Sequence, residues 1–261
     1  ARPRRLGRHS DPRTPADLSR ASLWCRKLGW RLLTAPGLRA WTRWIYPTST
    51  ISHLDVDGAV AFTVDDGFCG LDNPSGCMLD EVRELFAEYD ARATFFVTGS
   101  HCEHTQPTAV ARLLADGHEL ANHGMEDLPY HRCSREAFAA DLDATEASLQ
   151  RFRADPSPFY RAPFGRLSAP MQAELSARGL QHAVCDAFAH DTAIPDPAWI
   201  SRTVLRACRP GSIALIHMPE RGCREWNYEA MRRTLAGLRD RGLDVVTLRE
   251  LAERRRASQP K

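Results

Sequence analysis

With 261 residues, 43% of them hydrophobic and 26% charged, the chain falls in the ordinary soluble globular class and is long enough to bury one sizeable core. No apolar run approaches the ~20 residues of a membrane-spanning helix, no internal repeat or low-complexity tract is visible, and no cysteine pair has the C-x-x-C spacing of a thiolate zinc or redox site, so those classes are excluded. The formal charge of +2 hides a division: eleven Lys and Arg precede Pro47 against Asp11 and Asp17 alone, leaving the first 46 residues at +9 and the rest at −7.

The chain therefore divides into residues 1–50, a basic, aromatic-rich extension, and residues 51–261, the expected main domain. The extension carries Trp24, Trp30, Trp41 and Trp44 among Leu23, Leu28, Leu32, Leu33, Leu38, Ile45 and Tyr46, a mixture that predicts amphipathic helical pieces. Two readings stay open: peripheral contact with a membrane surface, or packing of the aromatic face on the main domain with the arginines left in water. The chain begins without Met and without a charged-then-apolar leader, so any targeting segment is expected to have been removed or never to have existed. The basic segment contains no recognised nucleic-acid module and the remainder is acidic, so no nucleic-acid partner is expected.

From Ala59 onward, β-rich runs alternate with segments of helical period, the pattern of a parallel sheet with crossover helices. Strands are predicted at Ala59–Val64, Thr94–Val97, Glu119–Asn122, Phe159–Arg161, His182–Cys185, Ile213–His217 and Asp244–Leu248. Helices are predicted near Leu79–Tyr89, Thr108–Ala115, Arg135–Phe152, Ala169–Ala177, Ala198–Ala207 and Glu229–Arg239, with Arg254, Arg255 and Arg256 as a solvated C-terminal fray. The fold class is α/β, and a barrel of seven to eight parallel strands with outer helices fits better than an open sheet. In such barrels chemistry gathers where strands end. Asp65 and Asp66 follow the first strand, His123 the third, Arg161 closes the fourth, Asp191 lies beyond the fifth and His217 ends the sixth, so all six fall on one rim.

Asp65-Asp66-Gly67 puts two carboxylates at the end of an apolar strand, where burying charge is costly unless something compensates it. A metal is one compensation; a turn with a helix-capping role is the blander reading. His123 and Asp127 are four apart, and a helical turn would present both to a single ion. Together with Asp66 they make a three-ligand site with an open position, the arrangement of a catalytic rather than a structural metal.

Five segments in order carry a resemblance: Asp65-Asp66-Gly67, Ala93-Thr94-Phe95-Phe96-Val97, Gly117-His118-Glu119 through Asn122-His123, Arg161-Ala162-Pro163-Phe164-Gly165, and Leu215-Ile216-His217. From about Ala59 to Leu251 the chain resembles the polysaccharide deacetylase family, whose catalytic part is the NodB homology domain. The resemblance implies a deformed (β/α) barrel, a divalent metal, usually zinc, and hydrolysis of N-acetyl or, less often, O-acetyl groups on a chitin-like or peptidoglycan-like glycan. It also implies roles: Asp65 as general base, Asp66 and His123 as metal ligands, Arg161 as the group that keeps Asp65 ionised, His217 as general acid, and a backbone N–H near Phe164 for the oxyanion.

Two departures from the family stand out. The second histidine is replaced by Asp127, which favours tolerance of Mn²⁺ or Co²⁺ beside Zn²⁺, with His131 as a substitute ligand. The family's fourth motif has no clean counterpart in residues 185–192; Asp191, with Asp186 second, is expected to orient Arg161, the alternative being that His190-Asp191 line the substrate groove. Phe164 and Trp226 are expected to offer flat faces to sugar rings, Trp226 having packing as its alternative. Cys69 and Cys77 flank one rim loop, and Cys102 and Cys133 lie on the next two, so bridges Cys69–Cys77 and Cys102–Cys133 are expected in an oxidising, secretory or extracellular compartment. Two further readings are kept: an amidohydrolase acting on a small non-polymeric amide, and a retired homologue that binds glycan without turnover.

Overall fold

The structure is a computed structural model that describes residues 20–33, 46, 49–70, 76–153 and 155–258. Trp41 and Trp44, part of the expected amphipathic extension, lie outside the described residues. Eight strands are seen: β1 (Ala59–Gly67), β2 (Ala93–Val97), β3 (Glu119–Asn122), β4 (Phe159–Tyr160), β5 (Gln181–His182), β6 (Ala187–Phe188), β7 (Ile213–Leu215) and β8 (Asp244–Val246). Around them lie α1 (Arg20–Leu33), α2 (Leu79–Glu88), α3 (Pro107–Ala115), α4 (Arg135–Gln150), α5 (Ala169–Ala177), α6 (Pro197–Ala207), α7 (Trp226–Arg239) and α8 (Leu248–Ser258). Arg254 to Arg256 belong to α8 and are not a fray; Arg254 pairs with Asp244 and Glu250.

The strands run in the order β5-β4-β3-β2-β1-β7-β6, with β8 beside the first three residues of β1, and every pairing is parallel. All residues of β1, β2 and β3 are buried, as expected of parallel strands covered on both faces. Alternation then decides which side chain goes where. Val60, Phe62 and Val64 of β1 face outward into the larger core under α2, α3, α6 and α7. Ala59 and Ala61 face inward, where Phe96, Ala121, Phe159, Ile213 and Val246 fill the barrel and Leu248 and Leu251 of α8 complete the plug.

The sheet curls without closing on itself. The seam between β5 and the start of β7 is spanned by residues 51–54: Ile51 N–H donates to the His182 carbonyl at 3.0 Å, Val184 N–H to Ile51 at 2.8 Å, and Leu54 N–H to Gly211 at 2.9 Å. A barrel closed by a short irregular segment rather than by strand pairing is a deformed (β/α) barrel, which matches the expected fold class.

α1 packs on the connection leaving β6. Trp30 stands edge-on to Phe188 and stacks on His190, Arg26 donates to the Ala193 carbonyl at 2.9 Å, and Lys27 pairs with Asp196 at 2.5 Å.

Candidate functional site

Period two carries the inward face of each strand to the rim. In β1 the inward series 59, 61, 63 ends on Asp65; in β3 Ala121 is followed by His123; in β4 Phe159 by Arg161; in β7 Ile213 and Leu215 by His217. Asp66 should then point away from Asp65, and a register irregularity prevents this. Val64 pairs with Phe95 and Gly67 with Val97, so three steps along β1 oppose two along β2, and Asp66 takes a left-handed φ of 57°. Such a bulge re-aims a side chain. Both carboxylates therefore approach His123, with Asp66 Oδ1 at 3.6 Å and Asp65 Oδ2 at 3.9 Å from its Nε2.

Each carboxylate has its own cation. Asp65 Oδ1 accepts from Arg161 Nη1 at 2.5 Å. The Arg161 guanidinium also donates to Thr63 Oγ1 at 2.8 Å and to the Ala183 carbonyl at 3.0 Å, and lies 4.0 Å over the Phe96 ring. A guanidinium fixed on so many sides holds the carboxylate in one place. Asp66 Oδ2 accepts from Arg224 Nη1 at 2.6 Å. Burial opposes ionisation of Asp66, but Arg224, then His217 and His123, hold its carboxyl well below the usual range.

Asp191, expected to orient Arg161, instead holds His217. Its carboxylate lies 3.0 and 3.1 Å from His217 Nδ1 and accepts from the His217 backbone N–H at 2.8 Å. The reason is β6: it pairs with β7 through Ala187 to Ala214 and Phe188 to Leu215, so the chain leaving it emerges beside His217, four strands from β4. Asp186 is engaged elsewhere, with His53 at 3.0 Å, Ser212 Oγ at 3.1 Å and the Ile213 N–H at 2.9 Å. Burial works to lower the His217 pKa, but the Asp191 charge and hydrogen bond, then Asp66 and Asp65, push it up to about 9.

Asn227, at the start of α7, donates to Asp191 Oδ2 and to the His217 carbonyl, both at 3.0 Å. Trp226 Nε1 donates to the Asp191 backbone carbonyl at 2.8 Å, and the indole is packed against the main core. Trp226 thus takes the packing part kept as its alternative, and holds the Asp191 backbone beside His217. Phe164 differs: it is 63% exposed with a φ of 59°, an uncommon conformation for a large side chain.

His123 Nδ1 is 2.8 Å from the Arg161 carbonyl, so its N–H is spent there and Nε2 is left as a ligand. Two donors on one tetrahedral ion at ~2.0–2.1 Å lie about 3.3 Å apart, close to the spacing of Asp66 Oδ1 and His123 Nε2. These two fit a divalent cation. The expected third ligand is placed differently: Asp127 lies on an exposed bend at 125–127, not on a helical turn, and among the described residues no three His, Cys, Asp or Glu side chains form a metal cluster. Asp127 still senses the site, since desolvation and then the Asp66 charge raise its pKa. His131, the substitute ligand, lies on a short helical turn, Tyr130–Arg132.

Cys69 and Cys77 are bridged, with Cα atoms 5.3 Å apart. Cys102 and Cys133 are both free, the first buried and the second exposed, which overturns the second expected bridge. The bridged loop is tied to the Arg224 loop by Glu220, which accepts from the Gly70 N–H at 2.8 Å and bridges the backbones of Cys77 and Cys223. Sequence reasoning missed Arg224 and Asn227. Neither lies in a recognisable segment, and the one available signal was their position just after the strand that ends on His217.

Fold and site together define a parallel β/α barrel whose C-terminal rim brings together Asp65 paired with Arg161, His217 paired with Asp191, and Asp66 facing His123. The sequence model of the polysaccharide deacetylase family matches residues 55–183. A chitooligosaccharide deacetylase of Sinorhizobium fredii is 30% identical over 203 residues, which is 73% of this chain and 90% of that protein. A peptidoglycan-N-acetylglucosamine deacetylase of Bacillus cereus is 27% identical over 194 residues, 74% and 87% of the two chains. The solved structure of peptidoglycan deacetylase PdaC from Bacillus subtilis matches with a TM-score of 0.67 at 23% identity, over 77% of this chain and 92% of that one. The chain belongs to the polysaccharide deacetylase family.

Proposed function

We propose that the protein is a metal-dependent hydrolase that removes acetyl groups from N-acetylglucosamine-containing glycans, chitin-like or peptidoglycan-like. The observation that carries this is the pair of oppositely prepared groups around Asp66 and His123: Asp65 set against Arg161, and His217 held protonated by Asp191. A divalent ion, zinc in the first instance and Mn²⁺ or Co²⁺ in its place, would be held by Asp66 and His123, joined by Asp127 if its loop closes, and would supply Lewis acidity toward the acetyl carbonyl and water. Asp65 takes the proton from the attacking water. The tetrahedral oxyanion would also draw on a backbone N–H near Phe164, whose ring offers its face to a sugar. His217 gives its proton to the nitrogen as the carbon–nitrogen bond breaks, leaving acetate and a free amine. Relatives named as chitooligosaccharide and peptidoglycan deacetylases support the substrate class. The Cys69–Cys77 bridge supports a secretory or extracellular setting.

The test is acetate release from N-acetylated chitin oligomers, set against small acetamides, after chelation and re-addition of Zn²⁺, Mn²⁺ or Co²⁺. The expected result is metal-restored release from the oligomers. Release from small acetamides alone would replace the polymer with a small amide as substrate. One observation favours a second reading, glycan binding without turnover: Arg224 already neutralises Asp66. Oligomer binding with no acetate under any metal would establish it.

A further inference from the structure

Over residues 21–30, the part of α1 whose side chains are described, the helix has its polarity inverted for one lying on a protein surface. The two charged residues there turn inward: Arg26 donates to the Ala193 carbonyl and Lys27 pairs with Asp196. The exposed residues there are Ala21, Trp24, Cys25 and Leu28, whose spacing of three and four makes one continuous apolar stripe. Trp24 is 64% and Leu28 40% exposed. Among the described residues the other exposed large apolar side chains are Leu128 and Phe164, both on the catalytic rim. Trp30 on the opposite face is fixed against Phe188 and His190, so the stripe is held outward by a docked helix.

Charge indicates what covers the stripe. The first 46 residues carry +9 and the remainder −7, so an anionic surface attracts this end and repels the body. A second copy meeting it stripe to stripe would bring two such basic segments together. We propose that α1 docks the protein on an anionic lipid surface, Trp24 and Leu28 entering the interfacial layer while the net positive charge of the first 46 residues draws them to the headgroups. The connection beneath α1 carries Asp191, so docking brings the rim that holds His217 to the lipid surface.

The full chain is sedimented with phosphatidylcholine vesicles with and without phosphatidylglycerol, in low and high salt. The proposal expects binding that requires phosphatidylglycerol, weakens with salt, and falls about tenfold or more in Trp24→Ser/Leu28→Ser, since each side chain removed from the interface costs roughly that factor. Because both residues are exposed, the double variant should keep the parent's thermal midpoint and its turnover of soluble oligomers. Failure to bind, equal binding to both vesicle types, or a double variant that binds as the parent does would overturn it. So would a parent dimer, seen by analytical ultracentrifugation, that the double variant loses while neither protein binds vesicles. Vesicle binding is read without turnover, so its failure leaves the deacetylase reading untouched.

Discussion

Asp65 and Asp66 are neighbours in sequence with separate partners, and the partners decide what each does. Asp65 is clamped by Arg161, while Asp66 divides its oxygens between Arg224 and the face of His123. Arg224 places a fixed positive charge beside the position a divalent cation would take, and like charges repel strongly where water is scarce. Arg224→Asn removes the charge and keeps a residue that tolerates the φ of 58° found there. Zinc affinity of that variant, read by competition with a chromophoric chelator, should rise at least about tenfold, a change of ~1.4 kcal/mol; unchanged or weaker affinity would show that Arg224 only orders Asp66. His217 makes a pH prediction. Its folded pKa of about 9 stands above its ordinary 6.5, so its contribution to stability is full below about 6.5 and lost as pH rises through about 9. As general acid it should give kcat/KM an alkaline limb whose position depends on the Asp191 charge. Asp191→Asn removes the charge that raises it, so the alkaline limb should move down by more than one pH unit; an unmoved limb would separate Asp191 from the acid. Asp65, Asp66, His123, Arg161 and His217 were legible because strand ends announce them. The partner of Asp191 was not, since composition does not say which neighbouring strand a loop emerges beside.

The elements that shape the site are short and irregular. The β1 bulge brings Asp66 to the side of Asp65, and the turn after β3 sets His123. Gly124 has a φ of 86°, and a Cβ there would come within 2.8 Å of the Tyr130 ring. Gly124→Ala should therefore cost roughly 1–3 kcal/mol, a fall of several degrees in thermal midpoint, and reduce turnover because His123 moves with its neighbour. A midpoint equal to the parent's would show the turn to be permissive. The Cys69–Cys77 bridge closes a loop with a sequence separation of 8, for which chain entropy assigns about 2–3 kcal/mol, so reductant should lower the midpoint and loosen the adjoining Arg224 loop. Native labelling should reach Cys133 and spare Cys102. The other seven strands were readable because buried parallel strands and amphipathic helices carry distinct periods. β6 was not, being two residues set between Asp186 and His190-Asp191 with no helical segment separating it from β5, and its omission led to the misplacement of Asp191.

At the scale of the whole molecule, α1 carries four of the eleven basic residues of the first 46 and no acidic one, and it packs on an acidic barrel that gathers its polar strand ends on one rim. The segment 51–54 that spans the seam has no periodic signature, so the barrel was legible in advance but the segment that closes it was not. The polar rim depends on the plug beneath it, because the inward alanines and aromatics fix the height at which Asp65, His123, Arg161 and His217 emerge. The most direct test is kcat/KM for acetate release from an N-acetylated chitooligosaccharide, compared between the parent and a folded Asp65→Asn protein. Loss of the proton acceptor with Arg161 left in place should reduce it about a hundred- to ten-thousand-fold. Turnover within a few-fold of the parent would contradict the assignment of Asp65 as the base.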